Sequence, residues 1–190
     1  MNFFRHLYQK HFCNKIIKHH IDYPRDKYND RNVLESIIFP YVLSKYNPKK
    51  ILDIGREDYQ AFYNEFFEGR ELWTIDYEEK HAEFGAKDHH IVDSATNLKK
   101  HFKDDYFDFI LMNGVFGWGL DTNEDVQKSF SEIADILAPG GIFILGYNDD
   151  VVPLNEIEGL KKLKELKFKP LKAHEYKCDN GNHTYNFFIK

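Results

Sequence analysis

Four short apolar runs in this chain end in polar residues whose types and spacing suit a nucleotide-shaped ligand. "KILDIG" ends in Asp53 and Gly55, "ELWTIDY" in Asp76 and Tyr77, "HHIVD" in Asp93 with Ser94 next, and "YFDFILMN" in Asn113. Asp76 follows Gly55 by 21 positions, close to the ~20 at which a carboxylate at a second strand end can accept both hydroxyls of a ribose. One such acid reads more simply as a solvated loop residue. Four polar strand ends in register bring a ligand crevice level with that reading.

Other chemistries leave fainter traces. There is no G-x-G-x-x-G to admit a pyrophosphate, no Walker loop and no G-x-S-x-G elbow. The paired histidines His19-His20 and His89-His90 diverge on any regular backbone, so they read as surface residues and no metal site is assigned. Cys13 and Cys178 are far apart and form neither a disulfide framework nor a zinc pattern, which fits a reducing cytoplasm. "NGVFGWG", residues 113–119, places Phe116 and Trp118 directly after the fourth run; they either wall a substrate pocket or are core aromatics beside a turn. Tyr147, His20 and His89 are candidate bases, and no catalytic residue is assigned.

These residues need a scaffold that brings strand ends together. Apolar runs bounded by Pro48 and Gly55 and by similar punctuation read as strands buried on both faces, alternating with helical patterns. Tyr59, Phe62, Tyr63, Phe66 and Phe67 predict a helix after the first strand. Thr122 and Asp125 predict a cap opening another, with Val126, Phe130, Ile133 and Leu137 on one face and Pro139-Gly140-Gly141 as its stop. "IFILGY" is a fifth strand, "LNEIEGLKKLKELK" a charged helix, and Asn180-Gly181 the turn of a final hairpin. The fold expected is α/β: a doubly wound, mostly parallel seven-stranded Rossmann-like sheet with a C-terminal antiparallel hairpin. Residues 1–47 read as an N-terminal helical extension and residues 48–190 as the domain proper. Within the extension, Phe4, Leu7, Tyr8, Phe12 and Ile16 suggest an amphipathic helix, and Leu34, Ile37, Ile38, Tyr41 and Val42 a second that Pro40 would kink or split.

At 190 residues with 42% apolar and 16% aromatic content, the chain can bury a core. It contains no apolar run of membrane-spanning length and no secretory leader pattern. Its net charge of -5 argues against general nucleic-acid binding, yet residues 1–50 hold ten basic and four acidic side chains. That basic arm is either a solvated helix face or, through residues 1–20, a peripheral contact with a membrane or another acidic surface.

From about Lys50 to Lys190 the chain resembles the class I S-adenosylmethionine-dependent methyltransferases. The resemblance is carried by "ILDIG", "DSATNL", "YFDFILMNGVF" and "ADILAPGGIFIL" in the right order. It implies methyl transfer from S-adenosylmethionine to a small-molecule acceptor, with Asp53 and Gly55 at the methionine part, Asp76 at the ribose and Asp93 at the adenine amino group. Tyr77, Ser94 and Asn113 join these as candidate cofactor contacts. The family's acid and three alternate glycines fall on Asp53, Gly55, Glu57 and Tyr59, so one glycine of three is kept. Two readings follow: Glu57 pairs with the cofactor's ammonium while Arg56 takes its carboxylate, or Glu57 and Asp58 simply cap the next helix. The rival to an enzyme is a methyltransferase-like protein without turnover that binds a ligand or partner, favoured if Glu57 and Tyr59 fill the crevice.

Overall fold

The computed structural model describes residues 29–148, 153–178 and 182–190. The expected helix over residues 1–20 and the Asn180-Gly181 turn lie outside the described residues. The first described segment is helical throughout: α1 (Asn29–Val33), a π turn (Leu34–Ile38) and α2 (Phe39–Lys45). Phe39 N–H donates to Leu34 O, the wider spacing of a π turn, and Pro40 sits in the first turn of α2 where its missing N–H does least harm. The proline therefore resets the helix without ending it.

The strands are β1 (Lys50–Ile54), β2 (Glu71–Asp76), β3 (His90–Val92), β4 (Phe107–Asn113), β5 (Leu137–Asn148), β6 (Lys164–Glu165), β7 (Glu175–Lys177) and β8 (His183–Ile189). They form one sheet in the order β3-β2-β1-β4-β5-β8-β6, with β7 also paired to β8. The first five are parallel, and β8 runs antiparallel to β5, β6 and β7. Short β6 and β7 lie end to end along β8, so the eight strands among the described residues fill the width of seven. This is the doubly wound, mostly parallel sheet with antiparallel C-terminal strands read from the sequence.

Both faces are covered, as uninterrupted apolar strands require. On one face Leu52, Ile110, Met112, Phe143 and Leu145 pack against α5 (Asn123–Ile136), which follows the short helices α3 (Tyr63–Phe66) and α4 (Leu98–His101), through Val126, Phe130 and Ile133. Thr122 caps α5 by accepting from Asp125 N–H at 3.1 Å. On the other face Ile51, Phe109, Leu111, Ile142 and Ile144 meet Leu34, Ile38, Phe39 and Val42 of the N-terminal helical segment. Tyr185 Oη donates to Asp30 O at 3.0 Å and Tyr63 Oη to Glu35 at 3.0 Å, fastening that segment across the sheet.

Two expected helices take other forms. After β1 the chain makes a 3-10 turn (Asp58–Gln60) and one turn of helix, α3 (Tyr63–Phe66), with Tyr63, Phe66 and Phe67 buried. The charged helix after β5 is instead two 3-10 turns (Leu154–Glu156 and Glu158–Lys162) leading into β6. Packing on α5 selects that form. Ile157, Leu160 and Leu163 are buried at a spacing of three, the 3-10 period, and a Cβ on Gly159 would lie 2.3 Å from the Phe130 carbonyl carbon. Gln127 fixes the approach from both sides, donating to Glu156 O at 2.8 Å and accepting from Glu158 N–H at 2.9 Å.

Candidate functional site

Between β1 and β4 the strand order reverses, and in such sheets ligands bind beyond the carboxyl ends of the strands at that point. A cleft of about 610 Å³ opens there. Gly55, Arg56, Asp76, Tyr77, Asp93, Ser94 and Asn113 all line it, joined by Glu57, Tyr59 and Gln60 from the loop after β1. Asp53, the remaining candidate, lies beneath that loop, fully buried.

Gly55 makes the turn out of β1. Its φ of +87° is a left-handed conformation that other residues adopt only under strain, and a Cβ there would meet Val115 Cγ2 at 2.3 Å. Its N–H donates to Ile75 O at 2.8 Å, so β1 and β2 end side by side at the cleft.

Arg56 departs from its expected role. Its guanidinium does not face a ligand carboxylate but turns into the protein, 2.5 Å from Asp53 Oδ2 and 2.5 Å from Asn64 Oδ1. Nε and Nη2 also donate to Phe84 O at 3.1 and 2.8 Å. The side chain is shut away from solvent and clamps the segment Glu79–Phe84 to the loop. Burial raises the Asp53 carboxyl to about 6 even though the Arg56 charge opposes the shift. Of the two readings of Glu57, the structure contains the capping one: Glu57 and Gln60 form a capping box over the 3-10 turn, with Glu57 N–H donating to Gln60 Oε1 at 2.7 Å. The Glu57 side chain stays more than half exposed at the cleft.

The strand-end acids are strongly engaged. Asp76 accepts from Arg56 N–H and Glu78 N–H, each at 2.8 Å, and lies 3.1 Å from His81 Nδ1. A carboxylate has about four acceptor positions, so one remains for a ligand hydroxyl. Asp93 receives Asn97 at 2.7 Å, Ser94 N–H at 2.8 Å, His101 at 2.8 Å and Lys100 at 3.0 Å. The Asn97 amide and the His101 ring lead in holding its carboxyl well below the usual range.

On the opposite wall, Asn113 Oδ1 lies 3.0 Å from His183 Nε2, whose Nδ1 lies 3.0 Å from Asn148 Oδ1. Antiparallel pairing of β8 with β5 delivers this histidine. Nothing local in the sequence marks it. Phe116 is a buried core residue against Phe130, whereas Trp118 is 68% exposed at the cleft, which separates the two aromatics left open above. Tyr147 points its hydroxyl at Asn186 at 3.1 Å, and His89 stacks on Trp73 outside the cleft. His20 lies outside the described residues. Among the described residues no group of three His, Cys, Asp or Glu is placed to hold a metal ion.

Carboxylates dominate the charged part of the lining: Asp30, Glu57, Asp76, Glu78, Asp93 and Asp121 border the cleft, while the Arg56 guanidinium is neutralised beneath it. Arg31 lies over the Tyr59 ring, 3.3 Å from its centroid, at the same opening. Such a site favours ligands that carry positive charge.

Residues 52–145 match the family model described as a methyltransferase domain. Among solved structures, the N-methyltransferase NodS from Bradyrhizobium japonicum in complex with S-adenosylhomocysteine superposes with a TM-score of 0.66 at 17% identity, covering 87% of this chain and 89% of that one. A TehB-like SAM-dependent methyltransferase from Corynebacterium glutamicum gives 0.58 at 16% identity, covering 84% and 93%. The Burkholderia thailandensis 1,6-didemethyltoxoflavin-N1-methyltransferase, solved with that compound and S-adenosylhomocysteine, gives 0.57 at 12% identity, covering 97% and 89%. No curated protein matches in sequence. Residues 52–145 thus match a methyltransferase domain, and the chain has the fold of the class I S-adenosylmethionine-dependent methyltransferase superfamily.

The cofactor of this superfamily fits the residues present. With Glu57 and Tyr59 in place the cleft keeps about 610 Å³, within the ~300–1,000 Å³ of small-molecule sites. The Gly55 backbone lies at the wall of the cleft, and the acidic side chains of the lining suit a sulfonium and an ammonium.

Proposed function

We propose that the protein is a cytoplasmic S-adenosylmethionine-dependent methyltransferase acting on a small-molecule acceptor. The observation that carries this reading is the open, acid-lined cleft at the reversal of strand order, with Gly55, Asp76, Asp93 and Asn113 converging on it. The bound cofactor supplies a methyl group activated on a positively charged sulfur. Gly55 gives its backbone to the methionine end, Asp76 its remaining acceptor position to a ribose hydroxyl, and Tyr77 and Ser94 flank the adenine. Asn113 and His183 face the acceptor side, where their mutual hydrogen bond fixes the amide that orients a polar acceptor. Methyl transfer asks for alignment more than for side-chain chemistry, and a preorganised wall provides it. No described helix is long and apolar enough to cross a membrane.

A second reading, a binding protein without turnover, is favoured by one observation: all four acceptor positions of Asp93 are taken within the chain. Calorimetric titration with S-adenosylmethionine and S-adenosylhomocysteine, repeated with Asp76→Asn, tests the first. Both ligands bind the wild type, and the variant binds them about tenfold more weakly, as loss of one charge-assisted hydrogen bond predicts. Absence of binding to the wild type refutes the cofactor reading. Binding with no methyl transfer across a broad acceptor screen supports the second reading.

A further inference from the structure

One polar group in the cleft lacks the partner its chemistry demands. Gln60 is 1% exposed, and among the described residues its Nε2 has no hydrogen-bond partner. The capping box settles which end of the amide is unpartnered. Oε1 is held as acceptor by Glu57 N–H at 2.7 Å, so the group left over is the NH₂, a donor. A buried donor is costly to leave without an acceptor, and Gln60 lines the cleft. The missing partner is therefore an acceptor that arrives with a ligand.

Charge identifies the kind of acceptor. Most of the charged lining residues are acidic, but Arg31, stacked on Tyr59, brings a guanidinium to the side of the cleft that holds Gln60. Tyr59 occupies the third glycine position of the family's loop, and Gln60 follows it directly. A cation from α1 and an orphaned amide donor from the loop after β1 match a carboxylate, and the exposed Glu57 beside them matches an ammonium. An α-amino-acid end presents both groups.

We infer that Gln60 and Arg31 bind the carboxylate of the cofactor's amino-acid end and Glu57 its ammonium, so that side chains replace the glycine backbone this loop has lost. The inference rests on the methyltransferase reading and names the residues that make it work with an altered loop. It also gives Tyr59 a purpose, as the platform that holds Arg31 in place.

The test compares two probes by calorimetry: S-adenosylhomocysteine, and its decarboxylated analogue, which keeps the ammonium and lacks the carboxylate. Wild type binds the first about tenfold more tightly, the worth of a charge-assisted contact. Gln60→Glu keeps the acceptor for Glu57 N–H and replaces the donor with a repelling oxygen, so this preference disappears or reverses. Arg31→Met, outside the buried loop, also loses it and serves if Gln60→Glu fails to fold. Equal affinity of wild type for the two probes, or an unchanged preference in a folded Gln60→Glu, overturns the inference and leaves the methyltransferase reading standing. Failure of wild type to bind either probe removes both.

Discussion

Replacing Arg56 with methionine tests whether the altered loop is held by a buried ion pair. Methionine matches much of the aliphatic stem but removes the contact to Asp53 and the hydrogen bonds to Asn64 and Phe84 O. Asp53 is fully buried, and its Oδ1 already lacks a partner among the described residues. Breaking a buried pair from one side costs ~3–5 kcal/mol, because the other charge stays behind. The loss depends on pH in a direction that can be worked out. The folded-state pKa of Asp53 is raised from 3.8 to about 6. A raised acid stabilises the fold when protonated, so that contribution is present at low pH and lost as pH rises through the folded value. Without Arg56 the value climbs further, and each added unit is worth ~1.4 kcal/mol. In urea denaturation the variant therefore loses ~3–5 kcal/mol near pH ~7.5, and the deficit shrinks by at least ~1 kcal/mol near pH ~5. The double variant Asp53→Asn with Arg56→Met is more stable than Arg56→Met alone at the higher pH. A deficit below ~1 kcal/mol, or one equal at both pH values, refutes the argument.

Gly55→Ala forces a Cβ to within 2.3 Å of Val115 Cγ2 at a φ of +87°; it lowers stability by ~1–3 kcal/mol in urea titration, and adding Val115→Ala recovers only the steric part. Asp93→Asn destabilises at neutral pH, and the difference fades as pH falls below ~4, since a lowered acid contributes above its unfolded pKa and loses that contribution on protonation; a pH-independent difference in melting temperature counts against it.

Much of the fold was legible because its signals are local. β1, β2, β4 and β5 are apolar runs with clear punctuation, and Thr122 and Asp125 announce α5 as a cap should. The error over residues 154–163 has a physical origin. Ile157, Leu160 and Leu163 satisfy a period of three as well as a loose helical stripe, and the choice is made by Gly159 lying flat on α5, a contact made across the fold. The site divides the same way. Gly55, Asp76 and Asp93 could be placed at strand ends from spacing alone. Arg56 could not, since its burial depends on Asn64 and on the Phe84 carbonyl. His183 reaches Asn113 from 70 residues away through a strand pairing that no motif encodes. Gln60 carried a faint local signal, the E-x-x-Q of a capping box, but its orphaned amide nitrogen becomes visible only once the loop is built.

The end-to-end arrangement of β6 and β7 along β8 bears on how the molecule behaves in a crowded solution. A long, flat outer strand presents a row of unsatisfied N–H and C=O groups that another chain can copy, the first step toward strand-by-strand aggregation. Here one margin of the sheet is β3, three residues long, and the other is divided between a pair of residues in β6 and three in β7. The charged Lys164, Glu165, Glu175 and Lys177 decorate that divided margin. Among the described residues an approaching strand finds no continuous template at either margin; brevity and charge guard these edges while the interior strands stay as apolar as the core demands.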